Sequence, residues 1–412
     1  MSLTGALNSA VSSLSAQSQS IAMVSDNLAN TSTYGYKTTT ASFASLVTGA
    51  SSAGYSSGGV LVSSRSNISE QGLLTTSTTA TNLAISGNGF FVVSGTTNGS
   101  DVGYTRNGEF STDNNGYLVN NGNYLMGWRT DADGNVIGSE SSANLSAVDT
   151  DIVSGIAGAT TTMSIQANLP ADAIAGDEFT TDVSVYDSLG TSHSLEATWT
   201  KTGDDTWSVS FGTDAGTVTS SAITVTFNSD GTLASTSPSP ATLSIGGWST
   251  GAADSTITLN LGSAGKADGL THYTTGATSP SVEVNNVTSD GMAYGTLSGV
   301  SIGDDGIVSA SYSNGKTIAI YKIPVATFAN ANGLSAESNG IYKSTAASGS
   351  ALLHESGAGG AGDIMGGTLE ASTADSSEEF SVMIAAQQAY SASSQVISAV
   401  NEMFDTLLSA VR

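Results

Sequence analysis

The sequence has no cysteine in its 412 residues. It therefore builds no disulfide framework, no thiolate zinc site and no cysteine nucleophile. Proline is scarce, at 5, where a chain of this length ordinarily has about 20. Cations are scarce too: 10 Lys and Arg stand against 35 Asp and Glu, for a net charge of -25. Nucleic acid and anionic membrane surfaces are bound by clustered Lys and Arg, so this balance argues against both as partners. No segment approaches 18 consecutive apolar residues, which excludes a transmembrane helix and argues against membrane insertion. The first 30 residues hold no Lys or Arg and no continuous apolar run, so no cleavable secretory signal is expected there. The length implies two or three domains, and 39% hydrophobic residues suffice for their cores.

What is abundant is glycine, at 48, and serine, at 69. The two ends read differently from the middle. In residues 1–30, Leu3, Leu7, Ala10, Leu14, Gln17, Ile21, Val24 and Leu28 are spaced alternately by four and three. This is a heptad seam of almost four repeats. It stops at Asn30-Thr31-Ser32-Thr33-Tyr34-Gly35, a cluster of turn formers. In residues 376–412 the same spacing runs through Phe380, Met383, Gln387, Tyr390, Ser394, Ile397, Asn401, Phe404, Leu408 and Val411, with Ser376 and Glu379 as a capping box. The two helices are about 40 Å and 50 Å long at 1.5 Å per residue. Their outer faces carry Ser, Gln, Asn and Ala where a water-facing helix normally carries Lys and Glu. One reading is an antiparallel hairpin inside one chain; the other adds packing against further chains.

The middle is punctuated by Asn107-Gly108, Asn115-Gly116, Asn121-Gly122, Asp133-Gly134, Asp230-Gly231, Asp305-Gly306 and Asn314-Gly315. Such pairs mark hairpin turns. Between them lie period-two runs such as Val183/Val185, Trp207/Val209/Phe211, Ile223/Val225/Phe227, Ile257/Leu259/Leu261 and Ile318/Ile320. The fold class is therefore mostly β with long terminal α-helices, a discontinuous chain with an inner helical layer and two antiparallel β domains. Glycine and serine stretches at 49–59 and 355–367 read as linkers. Residues 1–36 carry only Asp26, and residues 376–412 carry four acids against Arg412, so nearly all the negative charge lies in the β region.

No catalytic constellation emerges. Three nucleophile-elbow matches, at 54–58, 247–251 and 299–303, have no helix after them. The dinucleotide-like run Gly357–Gly362 lacks a strand–turn–helix setting. Asp131-Ala132-Asp133-Gly134-Asn135 puts its glycine at position four, where a calcium loop needs it at six. His193, His272 and His354 are dispersed, without metal-ligand spacing. Catalytic, cofactor and metal sites are all expected to be absent.

Several segments together resemble the axial proteins of the bacterial flagellum, and among them the hook type. Asn30, Thr33, Gly35, Tyr36 and Lys37 are similar to the family's N-x-x-T-x-G-[FY]-K signature. Ile85–Val93 resembles its next segment. Tyr104-Thr105-Arg106-Asn107-Gly108-Glu109-Phe110, Gly116-Tyr117-Leu118-Val119 and Gly127-Trp128 are similar to its Y-T-R-x-G-x-F … G-Y-L-V … G-W core. Val185–Gly190 resembles the outer domain of hook proteins, and Leu369-Glu370-Ala371-Ser372 through Tyr390 resembles the C-terminal segment. The chain departs at Ser372-Thr373-Ala374-Asp375, where the family has S-N-V-D, and at Gln387-Gln388, where it has Gln-Arg.

The resemblance implies a structural subunit of a tubular helical polymer, a flexible universal joint that carries torque from rod to filament in the extracellular part of the flagellum. It implies self-association, contact with rod, hook–filament junction and hook cap proteins, export through the flagellar type III apparatus, and no enzymatic activity. The expected domains are residues 1–30 with 376–412 as the inner helical layer, 31–75 with 355–375 as linkers, 76–145 with 288–354 as a middle β domain, and 146–287 as an outer one. The assembly interface is expected on Leu3, Leu7, Leu14, Ile21, Leu28, Phe380, Met383, Tyr390, Ile397, Phe404 and Leu408. A distal rod or hook-associated axial protein is the alternative within the family. A secreted β-rich adhesin or hydrolase is the alternative outside it.

Overall fold

The N-terminal heptad folds as helix α1 (Leu3–Ala29) and the C-terminal one as helix α2 (Ser376–Ala410). The computed structural model describes residues 3–47 and 57–410. Asn30 closes α1: its carboxamide donates to the Asp26 carbonyl at 2.9 Å, and its own carbonyl accepts the Thr33 N–H at 3.1 Å. At the start of α2 the structure corrects the expected capping box. The cap is Asp375, whose carboxylate accepts the N–H groups of Ser377 at 2.7 Å and Glu378 at 3.2 Å. A carboxylate satisfies two orphan donors of a helix start and complements its dipole, which leaves Ser376 in the first turn. The helices run antiparallel, with Asn27 against Glu379 and Ser13 against Ser393. In that register the last turns of α2 extend beyond the start of α1.

The segments read as linkers carry strands. Thr39–Val47 and Ser57–Ser66 form a two-stranded antiparallel hairpin, tied to α1 where the Val60 N–H donates to the Ser12 hydroxyl at 3.2 Å. Most of the expected 49–59 linker lies outside the described residues. Near the C-terminus, Asp363–Gly366 pairs with Leu83–Ser86, and Thr368–Glu370 pairs with Leu74–Thr76. Ladder hydrogen bonds come from the backbone, which glycine and serine supply as well as any residue.

The chain forms two compact units, Met1–Ile152 with Gly299–Ser311 and Thr317–Arg412, and Val153–Ser298 with Tyr312–Lys316. The β part of the first is built around Phe90–Ser94, which pairs with Val102–Thr105, Asn123–Arg129 and Val325–Thr327. Phe90, Val92, Tyr104, Met126, Ala326 and Tyr342 form one buried cluster, with Phe90 meeting Tyr342 edge to face at 5.8 Å between centroids. Asn115-Gly116 and Asn121-Gly122 each join paired strands, as expected. Asn107-Gly108 does not. There the Leu83 N–H donates to the Gly108 carbonyl at 2.9 Å, and a Cβ on Gly108 would sit 1.7 Å from the Leu83 carbonyl oxygen. This glycine permits a backbone crossing and makes no turn.

The core of the second unit lies in two sheets. Glu178–Tyr186, Ser192–Gly203, Thr206–Gly212, Ile223–Phe227 and Leu233–Ser237 form an antiparallel meander. Alternate side chains point inward, so Val183, Val185, Trp207, Val209, Ile223, Val225, Ile257 and Leu259 are all buried in one core with Trp199 and Leu243. Two pairings depart from the antiparallel expectation: Thr162–Asn168 runs parallel to Ser255–Asn260 and to Leu270–Thr271. The chain leaves this sheet to build the meander before returning, and so long a crossover permits parallel entry.

Asp187, in the segment that resembles the outer domain of hook proteins, is a fully buried carboxylate. One oxygen accepts the N–H groups of Leu189 and Thr191, each at 2.9 Å. The other meets His193 Nε2 at 2.9 Å and accepts the Thr250 hydroxyl at 2.6 Å. His193 in turn stacks on Trp248, 4.5 Å between centroids. Burial opposes ionisation of Asp187, but these donors outweigh it and bring its pKa from 3.8 down to about 2. A depressed carboxylate pKa contributes stability that is fully present above the unfolded value and is lost as pH falls through the folded one. Asp187→Asn should therefore lower the stability of this unit by about 2 kcal/mol at pH 7, the scale of losing charged hydrogen bonds. The difference from the unsubstituted protein should shrink between pH 4 and about pH 2. Urea melts of both proteins across that range check it, and a pH-independent difference would refute the assignment.

Candidate functional site

Three of the family-like segments of the first unit meet at one carboxylate. Glu370 is fully buried, and its Oε1 accepts Lys37 Nζ and, at 2.7 Å, the Gly72 N–H. Its Oε2 accepts Arg106 Nη1 at 3.1 Å. Its backbone carbonyl accepts the Gly35 N–H at 2.8 Å. Lys37 also donates to the Glu70 carbonyl. Arg106 donates to the carbonyls of Ile85 at 3.3 Å and Gly87 at 2.7 Å, and its guanidinium lies 5.3 Å from the Phe90 ring centre. Burial pulls the Lys37 ammonium below its usual pKa, and Glu370 opposes that shift. Gly35 has φ +68, and a Cβ there would lie 2.5 Å from the Arg106 carbonyl carbon and the Asn107 nitrogen. Only glycine allows the helix-end turn to press this closely on the Tyr104–Phe110 segment.

A second hub holds the helices to this turn. Asn27 is buried and donates to the Thr39 carbonyl at 3.0 Å and to Glu379 Oε1 at 2.8 Å. Its oxygen accepts the Tyr36 hydroxyl and the Thr39 N–H, each at 3.0 Å. All four of its hydrogen-bond positions are filled. Burial raises the Glu379 carboxyl above its usual pKa, and the Asn27 N–H opposes this. Thr373, one of the family departures, accepts the Thr38 N–H at 3.0 Å. Asn27, Glu379 and the partnership of Lys37, Arg106 and Glu370 were missed in the sequence. The available signal was the scarcity of cations: two of ten fall inside family-like segments.

The expected seam residues divide into two groups. Leu7, Leu14, Ile21 and Leu28 of α1 and Met383, Ile397 and Phe404 of α2 are half-buried. Phe380, Tyr390 and Leu408 are exposed, at 51%, 43% and 69%. The side chain of Leu3 lies outside the described residues. The buried positions of the pair are Ala10, Ala16, Ser20, Val24 and Asn27 on α1 with Glu379, Ala386 and Val400 on α2. Small residues thus line the close contact, and the large apolar ones flank it. Ile384, Val396, Met403 and Leu407 of α2 are exposed as well. Of the motif-like matches of the β region, the one at 54–58 lies mostly outside the described residues. Thr250 of the 247–251 match donates to Asp187, residues 299–302 of the third match end a strand, and Asp131 accepts the N–H groups of its own turn.

Four family descriptions match the chain. "Flagella basal body rod protein" covers residues 7–37, "Flagellar hook protein FlgE/F/G D1 domain" 84–172, "Flagellar basal body protein FlaE D2 domain" 157–292 and "Flagellar basal body rod FlgEFG protein C-terminal" 365–410. The flagellar hook protein FlgE of Brucella suis is 35% identical over the full length of both chains. The chain belongs to the flagellar hook protein family. The hook protein of Escherichia coli is 33% identical over 98% of this chain and 99% of its own. A solved hook protein of Helicobacter pylori, FlgE2, is 14% identical, covering 71% of this chain and 99% of that one with a TM-score of 0.47. The family is structural and non-enzymatic, and it polymerises in the hook as part of the flagellar machinery. The full-length relatives are hook proteins, and they support the hook reading over the rod, adhesin and hydrolase alternatives.

The buried triad sets a test. Glu370→Gln leaves two buried cations facing each other, and removing one partner of such a group costs about 3–5 kcal/mol. The melting of the first unit should fall accordingly. Adding Lys37→Met to Glu370→Gln should restore part of the loss, because the substitutions remove opposite charges from one network. Additive losses in the double variant would show that the two residues act separately.

Proposed function

We infer that this chain is the structural subunit of a flagellar hook, and that its terminal helices form the inner layer of a tubular polymer. The observation that carries the reading is the set of large apolar side chains that α2 leaves exposed. Phe380, Ile384, Tyr390, Met403, Leu407 and Leu408 are exposed in the single chain. Burying a large apolar side chain is worth about 1.5–3 kcal/mol, so covering these by further copies stabilises the assembly. The contact is heterologous, one copy's α2 face against a different surface of the next, and such contacts grow open helices. The assembly interface comprises the half-buried Leu7, Leu14, Ile21, Leu28, Met383, Ile397 and Phe404 together with the exposed Phe380, Tyr390 and Leu408.

In this reading residues 1–30 and 376–412 are the inner layer, 76–145 with 288–354 the middle domain and 146–287 the outer domain. Segments 31–75 and 355–375 join the layers, and the Lys37–Glu370–Arg106 triad clamps them. The tube's ends meet rod, hook–filament junction and hook cap proteins, and it transmits torque while bending. The chain reaches its place unfolded through the flagellar type III apparatus; a serine-rich α1 of low intrinsic helix propensity supports export in that state.

Phe380→Asp and Leu408→Asp separate assembly from folding. Both side chains are largely exposed, so the monomer should melt within about 0.5 kcal/mol of the unsubstituted protein. A charge repeated at every subunit contact should abolish tubes seen by electron microscopy. Normal tubes from either variant would remove that residue from the interface.

A further inference from the structure

Arg106 is only 3% exposed, yet its Nε–H has no partner. Its Nη atoms are spoken for by Ile85, Gly87 and Glu370. Glu370 does not serve it: Oε1 takes Lys37 and the Gly72 N–H, and Oε2 takes Arg106 Nη1. Two cations therefore share one buried carboxylate, while the Glu70 side chain near Lys37 is exposed and gives only its backbone oxygen. An unpaired donor on a buried charged group is costly and calls for an acceptor.

Arg106 lines a cavity of about 350 Å³ that opens between Ile68-Ser69, Asn88–Phe90 and Thr327–Asn332. At about 30 Å³ per water it has room for a small polar group with its solvation. Asn88 and Asn330 bring carboxamides to its exposed rim, and Asn332 with Ser69 forms a hydrogen-bonded pair beside them. Polar donors at the mouth and an under-satisfied guanidinium within form a setting for an anion that can accept several hydrogen bonds.

We propose that this cavity binds a carboxylate, which completes the hydrogen bonding of Arg106. The excess of cation over carboxylate in the triad favours an anion over a neutral acceptor. A planar carboxylate matches the edge of a guanidinium. The group has two sources, a free small carboxylate or an acidic side chain of a second copy. The second source rests on the hook reading, and the chain is well supplied for it, with 35 acids against 10 cations.

The probe is acetate, titrated into the full-length monomer at pH 7 against chloride at equal ionic strength. The Arg106 Nε–H signal in nuclear magnetic resonance, assigned by its loss in Arg106→Lys, should shift saturably. The melting temperature should rise by about 2–4 °C. Ala329→Leu, which fills the cavity from its exposed rim and leaves the triad untouched, should abolish both effects. An unmoved signal, equal melting in the two salts, or an undiminished response in Ala329→Leu would overturn the proposal. Assembly separates the sources. If a neighbouring copy supplies the carboxylate, saturating acetate should raise the concentration needed for tubes severalfold over chloride; an unchanged threshold assigns the site to free carboxylates and overturns the neighbour's role. Absence of tubes in either salt would count against the hook reading alone, because the monomer measurements decide the cavity independently.

Discussion

One buried carboxylate holds the first unit together. Glu370 joins Lys37, at the end of the helix-turn signature, to Arg106, in the first β core segment, and its own strand leads into α2. A carboxylate taken out of water must be paired and hydrogen-bonded on all sides. That requirement brings three distant stretches of chain to one point. It also explains Gly35, since any side chain there would push the turn off the Arg106 backbone. Replacing the group by apolar side chains would keep the packing but would lose the directionality that decides how the helical arms leave the sheet.

The helix pair follows a different logic. Its inner contact is made by small residues, Ala10, Ala16, Ser20 and Ala386, with Asn27 and Glu379 as the polar lock. Small side chains allow close approach but bury little apolar area, so the pair has modest stability of its own. The large residues sit beside the contact, half-covered or exposed. A helix that keeps its leucines and phenylalanines for a surface outside the chain is suited to a subunit whose inner layer is completed by neighbours. The second unit needs no such completion. Its tryptophans lie in a closed core between two sheets, and its one buried carboxylate, Asp187, is satisfied by four donors of that same unit.

Much of this was legible in the sequence. The heptads of both ends, the turn cluster after Asn30 and the period-two runs around Trp207, Ile223 and Ile257 led to the observed helices and strands, because side-chain periodicity is a local consequence of backbone geometry. The ordered signatures from Asn30 to Tyr390 identified the family.

What the tertiary structure alone decided is who meets whom. Glu370 lies 333 residues from Lys37 and 264 from Arg106. Asn27 and Glu379 are 352 apart. No periodicity encodes such a pairing, since it arises when separate elements close around a buried charge. The segments 31–75 and 355–375, read as linkers, carry strands for the same reason: a short strand's backbone pairs once a partner edge is brought beside it, and no local pattern announces that partner. Local chemistry determined the elements of this protein, and the need to satisfy buried polar groups across the fold determined their arrangement.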